Sequence, residues 1–66
     1  MGKYKSYPVE TEHHNIDVAY NRKYRWWTWF SINKKNKHFY CHQVESYSKQ
    51  DAIDSALSWS MEHPDE

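Results

Sequence analysis

Between Tyr24 and Val44 the chain reads YRWWTWFSINKKNKHFYCHQV, and no other stretch limits the fold as much. It holds Trp26, Trp27 and Trp29 of the four tryptophans, both phenylalanines and the only cysteine. It also holds Arg25, Lys34, Lys35 and Lys37, yet no Asp or Glu. Alternate residues separate into two sets, so the stretch reads as a β-hairpin with one apolar face and one aromatic, basic face.

A chain of 66 residues makes one domain. So short a chain buries only about 60% of the surface that it exposes when unfolded. With 18% aromatic residues, large rings must supply most of the core. One cysteine allows no internal disulfide, which fits a reducing compartment. No apolar run approaches the roughly 18 residues of a membrane span, and MGKYKSYPVE is not a signal peptide. A cytoplasmic protein without membrane contact is the expectation.

Net charge is zero, but it is unevenly spread. Residues 18–44 carry Arg22, Lys23, Arg25, Lys34, Lys35 and Lys37 and no acid, whereas residues 45–66 set Lys49 against Glu45, Asp51, Asp54, Glu62, Asp65 and Glu66. Residues 1–17 are nearly balanced, with Lys3 and Lys5 against Glu10, Glu12 and Asp17. Such asymmetry marks either a polyanion-binding surface or basic strands neutralised by an acidic helix within the fold.

Residues 1–14, with Tyr4, Tyr7, Pro8 and Val9, are expected to form an N-terminal arm or an edge strand, because Pro8 argues against a central one. In NIDVAYN, residues 15–21, Ile16, Val18 and Tyr20 alternate with Asp17 and Ala19, the mark of a half-buried strand. A three-residue loop, Asn21-Arg22-Lys23, then sets Tyr20 opposite Tyr24 and Val18 opposite Trp26. On the second strand Tyr24, Trp26, Thr28, Phe30 and Ile32 are expected to face the core, and Arg25, Trp27, Trp29 and Ser31 to face out. A four-residue turn, Asn33 to Asn36 with Asn36 left-handed, pairs Phe30 with Phe39 and Thr28 with Cys41. The outer face then joins Trp29 with Tyr40 and Trp27 with His42, and Cys41 is buried. Ser48 and Asp51 make an S-x-x-D helix start, Ala52, Ile53, Ala56, Leu57 and Ser60 recur at helical spacing, and Pro64 ends the helix. The expected fold is α+β: a three-stranded antiparallel meander over residues 15–66, with one C-terminal helix packed on one face.

Catalytic and metal-binding readings fail on geometry. On a strand Cys41 points away from His38 and His42, and those histidines stand about 13 Å apart, too far to share a zinc ion with ligands at about 2.0–2.3 Å. Cys41 and His42 point in opposite directions and form no nucleophile pair. Gly2, the only glycine, allows no phosphate-cradling loop. No enzyme, metal or cofactor is expected.

The expected outer face is a binding surface: Arg25, Trp27, Trp29, Tyr40 and His42, flanked by Arg22, Lys23, Lys34, Lys35 and Lys37. Rings among cations suit nucleic acid, whose bases stack while phosphates meet Lys and Arg. The same residue types dominate protein interfaces, which fits a small inhibitor or regulator of the kind encoded by phages and mobile elements. Three other fates compete: cover by the arm through Tyr4, Tyr7 and Val9, neutralisation within the fold, and a homodimer through this face. Three strands and a helix resemble small DNA-reading domains such as integrase arm-binding and plant ethylene-response-type domains, and the resemblance is one of architecture. Nucleic acid is the preferred partner and a protein the alternative.

Overall fold

The computed structural model describes residues 6–42 and 46–66. Lys3, Tyr4, Lys5 and Glu45, which entered the expectations above, lie outside the described residues.

The period-two pattern of residues 14–21 becomes a strand. β2 runs His14–Asn21, and His14, Ile16 and Val18 are buried on one face. β3 runs Trp26–Asn33 antiparallel to it, with Val18 opposite Trp29, Ile16 opposite Ser31 and His14 opposite Asn33. β1, Ser6–Glu10, adds to the other side of β2, pairing Tyr7 with Val18 and Val9 with Ile16. β4, Phe39–Cys41, closes the sheet beside β3. The result is a meander of order β1-β2-β3-β4, four strands rather than the expected three. Pro8 is no obstacle, because an edge strand serves one neighbour and can spare an N–H.

α1, Lys49–Glu62, begins where the S-x-x-D pattern puts it: the Ser48 hydroxyl accepts from the Asp51 N–H at 3.1 Å. Ala52, Ala56 and Ser60, spaced at four residues, are buried against the sheet. Side chains this small let the helix approach closely, and larger Ile53 and Trp59 pack at the margins. The core is Ile16, Val18, Trp29, Ala52 and Ala56. No helix is long and apolar enough to cross a membrane among the described residues.

The two faces of β3 are exchanged relative to expectation. Trp29 and Ser31 lie against the helix at 0% exposure, while Ile32 is 39% exposed. The cause is the first hairpin loop, which runs from Arg22 to Arg25 and not from Asn21 to Lys23, so that Asn21 pairs with Trp26. Asn21 Oδ1 accepts the N–H groups of Lys23 and Tyr24 at 3.0 and 3.2 Å. Its carbonyl accepts from Arg25 N–H at 2.8 Å, and Arg25 is left-handed with φ 62°. Changing an odd loop to an even one turns every β3 side chain to the opposite face.

The second loop is even, as expected, but sits one residue later, Lys34 to Lys37, and Lys37 rather than Asn36 is left-handed with φ 64°. The shift moves the expected partners by two, so that Phe30 lies opposite Cys41 and not Phe39, Tyr40 opposite Ser31 and not Trp29, and Phe39 opposite Ile32. Parity is kept, so Phe30 still shares a face with Phe39 and Cys41, and Trp29 with Tyr40 and His42. Because β3 is turned over, that first group is now the outer one. Cys41, expected to be buried, is exposed.

Candidate functional site

The two hairpin loops follow one recipe. Asn33 Oδ1 accepts from Lys35 and Asn36 N–H at 2.8 and 3.1 Å, and its carbonyl accepts from Lys37 N–H at 2.9 Å, as Asn21 does in the first loop. An Asn side chain that captures the following amides is a standard turn former. The shared pattern, Asn, cation, Lys, any residue, cation, stands in the sequence as Asn21-Arg22-Lys23-Tyr24-Arg25 and Asn33-Lys34-Lys35-Asn36-Lys37. That recurrence signals both loop lengths.

These loops separate the expected site into two parts and move its aromatic half. Trp29 is fully buried, with its ring 4.6 Å from His42, 5.8 Å from Tyr40 and 5.4 Å from Trp59 of the helix. Its indole N–H donates to Ser55 Oγ at 3.3 Å. Trp27, Tyr40 and His42 are half-buried on the same side. The helix covers this surface; Tyr7 and Val9 of the arm lie beside it as sheet neighbours and do not cross it. Trp27, Trp29, Tyr40 and His42 are thus packing residues and not an open face.

The cations stay exposed but sit at opposite ends of β3. Eight strand residues separate the loops by about 23 Å. Lys34 pairs with Glu10, whose carboxyl it holds below the usual range by hydrogen bond and charge. Asn36 Nδ2 donates to the Asp65 carbonyl at 3.0 Å, so the acidic C-terminus lies against the second loop. Arg22, Lys23 and Arg25 differ: among the described residues the ion pairs are His13 with Glu12 and Lys34 with Glu10, and neither involves the first loop.

Beside that unneutralised loop stands a ring pair that sequence reasoning had assigned to the core. Tyr24 and Trp26 stack at 4.9 Å with 15° between planes, and Lys23 Nζ lies 5.3 Å from the Tyr24 centroid. Tyr24 is 52% exposed. Farther along, Phe30 and Phe39 meet at 5.7 Å, with Phe39 56% exposed. Between these pairs lies a hollow of about 310 Å³ lined by Ser6, Ala19, Tyr20, Asn21, Thr28 and Phe30. The outer sheet face is therefore an aromatic, apolar strip along β3 and β4 with a basic loop at either end.

One further cluster has catalytic residue types. His14 Nδ1 lies 2.6 Å from Ser60 Oγ, which lies 2.7 Å from Thr11 Oγ1. Both His14 and Ser60 are buried, at 0% and 1% exposure, so the pair ties sheet to helix and offers no reacting atom to a substrate. Among the described residues no group of three or more His, Cys, Asp or Glu side chains could hold a metal ion. Comparison with family models, curated proteins and solved structures finds no match to this chain.

Proposed function

We propose that this protein is a non-catalytic binding module that engages nucleic acid through its outer sheet face and first hairpin loop. The observation that carries the reading is the stacked Tyr24–Trp26 pair at a loop that carries Arg22, Lys23 and Arg25, three cations without an acidic partner among the described residues, with Lys23 Nζ 5.3 Å from the Tyr24 centroid. Cations neutralise phosphates and release counterions, and exposed rings offer stacking surfaces to bases. The acids keep clear of this loop: Asp51, Asp54 and Glu62 lie on the helix, against the opposite face of the sheet. On the outer face Glu10 pairs with Lys34, and Asp17 lies opposite Phe30, four strand residues from Trp26. Zero net charge is thereby compatible with a local basic pole.

A second reading has its own support. Phe30, Ile32 and Phe39 form a partly exposed apolar patch, which suits the buried centre of a protein interface with cations as its rim. On that reading the protein is a small inhibitor or regulator of another protein.

Salt titration separates the two. Arg22→Ser, Lys23→Ser and Arg25→Ser together should weaken binding of a labelled oligonucleotide and lower the slope of log K against log salt by about 2–3, near 0.7–0.9 per lost phosphate contact. A chain that binds no oligonucleotide at low salt leaves the protein-partner reading standing alone.

A further inference from the structure

We infer that the outer face takes single-stranded nucleic acid, laid along β3 and β4 with bases stacked on Tyr24–Trp26 and on Phe30–Phe39. This deepens the nucleic-acid reading above and rests on it. Three features of the face select a single strand over a duplex.

The first is the ring arrangement. Tyr24 and Phe39 are more than half exposed, and each leans on a second ring that holds it in place. Trp26 and Phe30 are four residues apart on one strand, about 13 Å, so the two pairs are separate stacking stations on one track. Bases can reach such rings only when splayed out of a helix.

The second is the distribution of acid. Asp17 lies opposite Phe30, so the β1–β2 half of this face carries an acid without an ion pair among the described residues and the β3–β4 half carries no acid. Glu10, across from Asn15, is neutralised by Lys34. Four strands span about 14 Å at about 4.8 Å spacing. A duplex presents two phosphate backbones across a major groove about 12 Å wide, so one of them would lie over Asp17. A single strand needs one track and can follow the uncharged rings from the Arg22–Arg25 loop to Lys35 and Lys37.

The third is the lack of reading groups among the described residues of β3 and β4. Between the loops the β3–β4 half shows Trp26, Thr28, Phe30, Ile32, Phe39 and Cys41, and the Thr28 hydroxyl already donates to the His42 carbonyl at 2.7 Å. Duplex readout needs side chains such as Arg, Asn or Gln aimed at base edges. Stacking needs none, since every base has a π face, and so the binding should tolerate sequence.

The test is fluorescence anisotropy with the full chain and a labelled mixed-sequence oligonucleotide of about 12 nucleotides, given as DNA, as RNA, and closed into a duplex. Either single strand should bind at least about tenfold more tightly than the duplex. Tyr24→Leu with Phe39→Leu keeps apolar bulk and removes both π faces; it should weaken single-strand binding about tenfold or more and leave duplex binding alone. Both side chains are exposed, so the unfolding midpoint should hold, and single substitutions stand in if the pair lowers it. Duplex binding as tight as single-strand binding, or an unchanged affinity in the Leu variants, overturns the inference while the charge-based reading survives. Binding to none of the three probes overturns both.

Discussion

His14 Nδ1 lies 2.6 Å from the hydroxyl oxygen of Ser60, 46 residues away in the chain. The contact joins the first residue of β2 to the last buried position of α1, and Thr11 Oγ1 completes it by accepting His14 N–H at 3.0 Å and meeting Ser60 Oγ at 2.7 Å. Ala52 and Ala56 let the helix lie close, and Ser60 gives it one polar anchor on the same stripe. Ser60→Ala should strip His14 Nδ1 of its partner while His14 Nε2 already has none. A loss of about 1–3 kcal/mol is expected from urea unfolding, the cost of an unsatisfied buried polar group. An unchanged midpoint would mean that the anchor contributes nothing to stability.

Stability should fall as the solution is acidified. His14 is held below its ordinary value of 6.5, first by burial and then by the neighbouring charges of His13 and His63. His42, stacked on Trp29, is lowered by burial. The unfolded chain takes up these protons near pH 6.5 and the folded chain only at lower pH. The contribution of each histidine is therefore whole above about pH 6.5, and it declines below that by at most about 1.4 kcal/mol per pH unit until the folded group also titrates. Urea midpoints measured from about pH 7.5 to about pH 5 should drop, and less steeply in His14→Gln. A flat profile would count against burial of these rings.

Trp29→Ala should remove most of the native population. The ring is fully buried among His42, Tyr40 and Trp59, and truncating such a core aromatic costs about 3–5 kcal/mol. That is a large share of the stability of so small a domain. Trp26→Ala, on the outer face, should leave a folded protein. Near-ultraviolet circular dichroism and amide dispersion distinguish the two, and a native spectrum for Trp29→Ala would return Trp29 to the surface.

The left-handed loop positions are open to improvement. Lys37 has φ 64°, a conformation that costs a residue with a Cβ about 1 kcal/mol. Lys37→Gly should raise the thermal midpoint, and Lys37→Val should lower it, since branching at Cβ worsens the clash. The reverse order would show that Lys37 Nζ, which donates to the Lys34 carbonyl at 3.2 Å, outweighs the backbone.

Much of this fold is legible in the residues. Alternation marks Ile16 and Val18 as one side of a strand, S-x-x-D marks the helix start, and the stripe Ala52, Ile53, Ala56, Leu57 and Ser60 marks the helix face that meets the sheet, although Leu57 at its edge is exposed. Even loop parity keeps Trp29 with Tyr40 and Phe30 with Phe39. Local pattern alone suffices for these, because each depends on neighbours within a turn or along a strand.

Which side of β3 meets the helix is a different kind of question. Trp26, Thr28, Phe30 and Ile32 form the more apolar set, yet Trp27, Trp29, Ser31 and Asn33 lie inward, with Ser31 and Asn33 buried. Asn33 is accommodated because its side chain bonds to the turn amides and to the Pro64 carbonyl at 3.0 Å, a partner across the fold. Sequence determined the strands, the helix and the grouping of residues on faces. Hydrophobicity along β3 does not reveal which group is core, since the more apolar set lies outward and packing against the helix in the tertiary structure decides it. The one local trace of that choice is the Asn-led loop pattern, because with a period of two the two faces differ by one loop residue.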